Sequence, residues 1–430
     1  MKNADPKGPV PRLRFPEFRD AGPWEVKRLG EVYRFKPTNS WPRDRLNYES
    51  GVVRNIHYGD IHKGLSTSFR LAESTVPFLD DELADRLASD AYCEPGDVVL
   101  ADASEDVADI GKAIEIVEVR GERLVSGLHT ILASQIERRL IIGFAAYLFA
   151  SSAVRRQIQE RAQGAKVLGL SKSQLAEVAL TYPKHENEQQ KIADCLASLD
   201  DLISAQGERL AALKAHKRGL MQQLFPRPGE TTPRLRFPEF RDAGPWEVKR
   251  LGDDGVANFV RDRIAAEDIP SGHYVSTINL LSDFNGLAQK PETPPSGSAI
   301  AYRAGDILMS NIRPYLRKIW VADRSGGASN DVIVARPGKR IVQTFLGQSL
   351  MSDRFISYIM DSAKGVKMPR GDLEQIQGFE VPVCTNPEQQ KIADCLASLD
   401  DLISAQGERL AALKAHKRGL MQQLFPQGLD

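Results

Sequence analysis

Asp102, Glu105, Asp106 and Asp109 place four carboxylates within eight residues, just after an apolar run that ends at Leu100. Such a cluster can hold a divalent cation for phosphodiester hydrolysis, and a solvated loop uses the same residues simply to stay in water. His57 and His62 stand five apart with no cysteine partner, short of a metal ligand set. No G-x-x-x-x-G-K-[ST] loop and no strand-borne G-x-G-x-x-G occurs, so neither a nucleoside triphosphate nor a dinucleotide has a backbone cradle. Thr293-Pro294-Pro295-Ser296 lacks the Asn, Asp or Ser before the prolines, and the aromatic after them, that an amino-methyltransferase loop requires. No catalytic group, cofactor or metal is therefore expected on this chain.

Binding is better supplied. Asn311-Ile312-Arg313-Pro314-Tyr315-Leu316-Arg317-Lys318 interleaves cations, an amide and an aromatic after a strand-like run. Arginine and lysine can take phosphates or guanine edges, and asparagine can read adenine with two hydrogen bonds. Lys166 and Lys172 follow Gly164, and Lys367 and Arg370 follow Gly365, so two glycine-containing loops carry cations at matching places. The candidate nucleic-acid contacts are thus Lys166, Lys172, Asn311, Arg313, Tyr315, Arg317, Lys318, Lys367 and Arg370. A solvated loop is the competing account of each. Lysine plus arginine and aspartate plus glutamate both number 57, so any nucleic-acid face is local rather than a property of the whole molecule.

The elements that must position these residues are marked by two exact repeats. Pro11–Gly30, PRLRFPEFRDAGPWEVKRLG, returns as Pro233–Gly252, and Glu188–Pro226 returns unchanged as Glu388–Pro426. The chain is two modules with the same beginning and the same end around different interiors. Trp24 and Trp246 in the lead-in segments are expected as core anchors. Tyr92–Leu100 and Tyr302–Met309 are a common landmark, a turn feeding an apolar strand. Both interiors read as one mixed α/β fold with different surfaces.

In each long repeat the apolar residues recur at alternating steps of four and three. The first seam is Ile192, Leu196, Leu199, Ile203, Gln206, Leu210, Leu213, Lys217, Leu220 and Leu224; the second is Ile392, Leu396, Leu399, Ile403, Gln406, Leu410, Leu413, Lys417, Leu420 and Leu424. That is a coiled-coil heptad stripe on a helix roughly 55 Å long. A helix of this length with one narrow seam needs a partner, and its copy is the nearest one. Glu188, Asp194, Asp200, Asp201 and Glu208 fill the first half, whereas Arg209, Lys214, Lys217 and Arg218 fill the second. Antiparallel pairing sets acid against base and brings Gln206 near Gln406. A helix joining separate chains is the alternative.

These boundaries predict a first globular domain at 1–187, a helix at 188–226, a linker at 227–232, a second domain at 233–387, a helix at 388–426 and a tail at 427–430. Asn386 is expected to cap the second helix, with Pro387 at its first position. The longest apolar run, Leu140–Ala150, is far short of a membrane span, and Lys2–Arg14 does not read as a secretory signal. Four cysteines without paired spacing fit a reduced, cytoplasmic protein.

The two-module plan resembles the specificity subunit of type I restriction–modification systems. The likeness rests on LRFPEFxxAGPWEVKRLG, on the YCEPGD and YRAGD strand landmarks, and above all on EQQKIAxxLxxLDxLIxxQxxxLxxLKxxKxGLMQQLF after each interior; it covers essentially the whole chain. It implies two target-recognition domains reading the halves of a bipartite double-stranded DNA site, separated by an intramolecular antiparallel two-helix coiled coil in a pseudo-two-fold internal repeat. It further implies a non-catalytic subunit joined to two methyltransferase (M) subunits and to restriction/translocase (R) subunits, with no membrane. S-adenosylmethionine, ATP and Mg²⁺ then belong to the partners. A bivalent protein scaffold without DNA and a stand-alone nuclease using Asp102–Asp109 are the alternative functions.

Overall fold

Two interiors that differ over most of their sequence build the same kind of frame, and the reason lies in their shared ends. The computed structural model describes residues 8–288, 292–362 and 370–427. The chain divides into two compact units, Met1–Ala205 with Leu410–Asp430, and Gln206–Arg409.

In the first unit, Glu25–Arg28 pairs antiparallel with Ala179–Tyr182, the strand that leads into the helix Glu186–Leu224. A five-stranded sheet runs in the order Tyr33–Lys36, Thr130–Gln135, Val98–Ala101, Ala113–Glu118, Ser68–Arg70. A second sheet, of Arg123–Ser126, Val53–Ile56, Phe78–Leu79 and Leu46–Asn47, completes the β structure together with a short pair, Ala103–Ser104 with Leu168–Gly169. The helices Ala145–Ala150 and Ser152–Arg161 lie in the sequence between Thr130–Gln135 and Leu168–Gly169. Trp24, Phe144, Phe149, Ile192, Leu196, Leu424 and Phe425 share one core.

The second unit repeats the scheme. Glu247–Arg250 pairs with Glu380–Val383, which leads into the helix Asn386–Leu424. One sheet is Ala257–Phe259, Val332–Pro337, Ile307–Ser310, Ile319–Val321, and the other is Arg263–Ala265, Ser298–Tyr302, Gly326–Ala328, Tyr274–Val275. The core joins Trp246, Phe345, Phe355 and Phe379 to Met221, Leu224, Ile392 and Leu396.

The Gly-Asp landmark has a definite purpose in both units. Gly96 and Gly305 turn at φ +95° and +92°, a conformation that favours glycine. Their N–H groups donate to Ile116 O and Ala322 O, each at 2.7 Å. The next residue, Asp97 or Asp306, is buried, accepts the N–H of Glu94 or Arg303, and is neutralised by Lys36 (3.1 Å) or Arg336 (2.8 and 2.9 Å). A buried carboxylate without such a partner is costly, so the landmark survives where the surrounding sequence does not.

The lead-in segments are fastened to the long helices by buried ion pairs. Arg14 donates to both oxygens of Glu188 at 2.7 and 2.8 Å, and the Trp24 indole N–H adds a third bond at 3.1 Å. Arg236 holds Glu388 at 2.6 and 2.8 Å. Beside them Gln189 accepts from Ile141 N–H and donates to Arg139 O and Pro183 O, while Gln389 accepts from Val342 N–H and donates to Arg340 O and Cys384 O. The Glu-Gln pair that opens each long repeat is therefore interior structure, not the acidic first turn of an exposed helix.

Both long helices have 39 residues and begin slightly ahead of the repeat. The carbonyl of His185 accepts from Glu188 and Gln189, and that of Thr385 from Gln389. Asn386 is thus the first helical residue rather than the cap, and Pro387 is the second, where a missing N–H still costs nothing. Seam positions keep a regular rhythm of cover. Ile192, Leu196, Leu224, Ile392, Leu396, Gln406 and Leu424 are buried. Leu199, Ile203, Gln206, Leu210, Leu213, Leu220, Leu399, Ile403, Leu410, Leu413 and Leu420 are partly covered, and from Asp201 to Arg218 only Gly207 and Lys217 share that cover outside the apolar seam and Gln206.

Within each unit the helical segments run in opposite directions. In the first, Ile192, Ala193 and Leu196 share a core with Leu420, Met421 and Leu424, and Asp200 meets Lys417. In the second, Lys217 donates to both oxygens of Asp400 at 2.6 and 2.7 Å, and Gln406 Nε2 donates to Gln206 Oε1 at 2.5 Å. Backbone bonds fix the same arrangement at the ends, Leu13 N–H to Gln423 O in one unit and Leu235 N–H to Gln223 O in the other, both 2.9 Å. Among the described residues, no helix is long and apolar enough to cross a membrane.

Glu115 gives the first unit a pH dependence. It is fully buried on the strand Ala113–Glu118 and accepts from Gly143 N–H at 2.8 Å and Ala146 N–H at 2.7 Å. Burial outweighs those bonds and pushes its pKa up from 4.5 to about 7. The folded state then binds a proton that the unfolded state releases. Stability from this group is full below about pH 4.5 and is lost as pH rises through about 7. A loss on the order of 3 kcal/mol is expected across that window. Urea unfolding at several pH values should show Glu115→Gln flattening the slope; an unchanged slope would exclude Glu115 as its source.

Candidate nucleic-acid interface

The strand Ile307–Ser310 ends in a loop whose shape is held by two residues in the left-handed region, Arg313 at φ 51° and Arg317 at φ 57°. Between them Pro314–Leu316 makes one turn of 3-10 helix that presents Tyr315, which is 48% exposed. Arg313 is exposed, and its guanidinium makes no hydrogen bond or ion pair among the described residues. Asn311 and Ile312 lie beside Arg370, through an isolated bridge between Ile312 and Arg370 and a bond from Gly371 N–H to Asn311 O. The structure thus gathers Asn311, Arg313, Tyr315 and Arg370 around one strand end. Lys367 lies outside the described residues.

Arg317 and Lys318 are engaged by neighbouring groups of the fold. Arg317 pairs with Asp353 and, at 3.9 Å, with Asp283, while its guanidinium covers the Phe284 ring at 4.9 Å. Lys318 donates from Nζ to Thr277 O at 2.6 Å; burial, and then Arg313, lower its pKa. Counting cations along the loop cannot reveal this, because the acid that takes Arg317 is 36 residues away.

In the first unit Lys166 and Lys172 are both exposed, Lys172 at the start of the short helix Lys172–Ala176. The more organised surface is one that sequence reasoning passed over. His129 sits at φ 55°, its Nδ1 is 3.2 Å from Asp102 Oδ1, and its ring meets Tyr58 edge-on at 5.2 Å. Tyr58 also contacts His57 and His62. His57 Nδ1 accepts from Gly59 N–H, capping the helix Tyr58–Lys63, and burial together with Arg43 lowers its pKa, which suits an acceptor. His62 Nε2 is 3.0 Å from Ala103 O. The signal was three histidines and a tyrosine, but 72 residues separate His57 from His129 and hide it.

The acidic cluster does not converge. Asp102 faces His129, Asp106 accepts from Ala108 N–H, and Asp109 is 3.9 Å from Lys112. Among the described residues no group of three or more His, Cys, Asp or Glu is placed to hold a metal ion.

The two strand ends are the same backbone construction. Asp102 N–H donates to His129 O at 3.0 Å and Leu170 N–H to Asp102 O at 2.9 Å; Asn311 N–H donates to Asp331 O at 2.8 Å and Gly371 N–H to Asn311 O at 3.1 Å. Three segments meet at each point: the end of a central strand, the residue before the next sheet strand, and the loop returning toward the long helix. On the first the exposed groups are a carboxylate and an imidazole. On the second they are a carboxylate and a guanidinium, with Arg370 3.3 Å from Asp331 and the Asn311 amide oxygen covered beside them. Such groups can exchange hydrogen bonds with base edges.

The described residues define a two-unit α/β protein on a repeated frame, with polar junctions exposed at equivalent strand ends. The chain is similar to type I restriction–modification specificity subunits. A putative type I restriction enzyme MjaX specificity subunit from Methanocaldococcus jannaschii is 23% identical over 417 residues, 94% of this chain and 92% of the relative. The type I restriction enzyme MjaVIII specificity subunit of the same organism is 25% identical over 200 residues, 45% of this chain and 44% of its own. In fold, the type I restriction–modification S subunit from M. genitalium matches with a TM-score of 0.57 at 15% identity, over 97% of this chain and 99% of that one. A chain solved for the complex assembly and conformational transition of the type I R-M system matches with a TM-score of 0.52, also at 15% identity, over 94% and 97%. No family model matches.

Proposed function

We propose that this chain is the DNA-recognition subunit of a type I restriction–modification system. Its two units read the two halves of a bipartite double-stranded DNA target and bring methyltransferase and restriction subunits to it. The observation that carries this is the relationship to specificity subunits along nearly the whole chain. Identical ends around different interiors suit the role, because the ends serve a common assembly while the interiors serve different half-sites.

The finer architecture is part of the proposal. Domains at 1–187 and 233–387 are target-recognition domains, and the two long repeats form an antiparallel coiled coil that sets the separation between half-sites. Two methyltransferase subunits dock on the repeated elements. They carry S-adenosylmethionine, the restriction subunits carry ATP and Mg²⁺, and this chain contributes recognition without catalysis in the cytoplasm. Phosphate contacts from Lys166, Lys172, Arg313 and Lys367 give affinity, and base-edge contacts give sequence preference.

Sequencing methylated bases in the host before and after deletion of the gene tests the reading directly: loss of one bipartite motif is expected, and unchanged motifs would overturn it. Replacing Asp253–Asn386 with the interior of another such chain should change one half-site and leave the other intact. A change in both halves would contradict independent reading by two domains.

A further inference from the structure

We infer that the three-segment junction at the end of the central strand is the base-discriminating point of each unit, through Asp102 with His129 in one and Asn311, Asp331 and Arg370 in the other. The inference rests on the DNA-reading function proposed above and names the residues that give it specificity.

Three observations converge. The first is the same geometry on different sequence. The paired bonds around Asp102 O and N–H recur around Asn311 O and N–H, within 0.2 Å at each place (3.0 against 2.8 Å and 2.9 against 3.1 Å). A frame that holds its backbone while its side chains change chemical type is built to present those side chains.

The second is exposure without slackness. The side chains of His129 and Arg370 are 50% and 58% exposed, and those of Asp102 and Asp331 are 29% and 42% exposed. Exposed polar pairs of this kind contribute little to folding. Even so, His129 is held in the left-handed region, unfavourable for a residue with a side chain, and is propped against Tyr58. The imidazole is thereby oriented before any ligand arrives.

The third is an unused acceptor. Asn311 Oδ1 is covered and has no hydrogen-bond partner, although Gly371 approaches so closely that an added Cβ there would lie 2.9 Å from it. The amide is wedged at the crossing with part of its hydrogen-bonding capacity unspent.

The chemistry differs between the units in a useful way. Arg370 can donate twice to guanine O6 and N7, with Asp331 steadying the guanidinium. Asp102 offers only acceptors, which suit the exocyclic amine of cytosine or adenine, and His129 can donate or accept beside it. The same junction thus gives two different preferences.

The test uses the full-length chain in its host with the native methyltransferase, reading motifs by methylated-base sequencing. Asp102→Asn and His129→Ala should relax one base position in one half-site, with discrimination falling about ten-fold. Asp331→Asn and Arg370→Ala should do the same in the other half-site only, and the gap between half-sites should not change. If gene deletion removes the motif but all four variants preserve it base for base, the junction is not the reading point although DNA targeting stands. If deletion removes no motif, the targeting function itself fails. Where an alanine variant stops methylation altogether, His129→Gln or Arg370→Lys keeps a polar tip on the same backbone. A shifted base then supports the assignment, and an unaltered motif overturns it.

Discussion

Glu188→Ala is expected to destabilise the first unit by about 3–5 kcal/mol, the usual cost of stripping one partner from a buried ion pair. Arg14 is 9% exposed and Glu188 1%, so neither charge can turn to water when the other is lost. The Trp24 indole loses its acceptor as well. Glu388→Ala should be milder by about 1 kcal/mol, because the matching indole, Trp246 Nε1, already lacks a partner. Hydrogen exchange resolves the two units: opening near Pro11–Gly30 and Glu186–Leu196 should become easier in the first variant, and near Pro233–Gly252 in the second. Equal, small effects below 1 kcal/mol would show that the lead-in segments are held by apolar packing and not by these pairs. Replacing both partners, Arg14→Met with Glu188→Leu, should recover most of the loss.

A heptad inserted after both Gln206 and Gln406 is expected to lengthen the unread gap by about three base pairs. Seven residues add roughly 10 Å of helix, and one base pair occupies roughly 3.4 Å. The insertion keeps the seam on one face, because the apolar stripe repeats every seven residues. Three base pairs also turn the second half-site by roughly 100° about the duplex, so the longer motif should be methylated less completely than the original. Both half-site sequences should stay as they are. An unaltered gap in a folded, active variant would remove the helices from any role in setting the spacing.

Much of the frame was legible in the sequence, because repetition and periodicity are local signals. The seam rhythm, the Gly-Asp turn before each central strand and the buried tryptophans could all be read from spacing alone. What could not be read depends on contacts between distant residues. Glu188-Gln189 looks like an ordinary acidic helix start until Arg14, 174 residues earlier, is found against it. Arg317 looks available to DNA until Asp353 and Phe284 are found around it. Asp102 looks like one of four loose acids until His129 faces it across two strands. A cation's neighbours, not its type, decide whether it is free to bind.

The bond from Leu13 N–H to Gln423 O has the same form as the bond from Leu235 N–H to Gln223 O, although only the second pair is linked by a short stretch of chain. What residues 227–232 do covalently inside one unit, hydrogen bonds and the Trp24–Phe425 ring contact do without a link inside the other. The order in which the modules are strung is therefore separable from the contacts they make. A circularly permuted chain, opened at 227–232 and closed by a six-residue bridge from Pro426 to Pro11, would have every one of these contacts available to it.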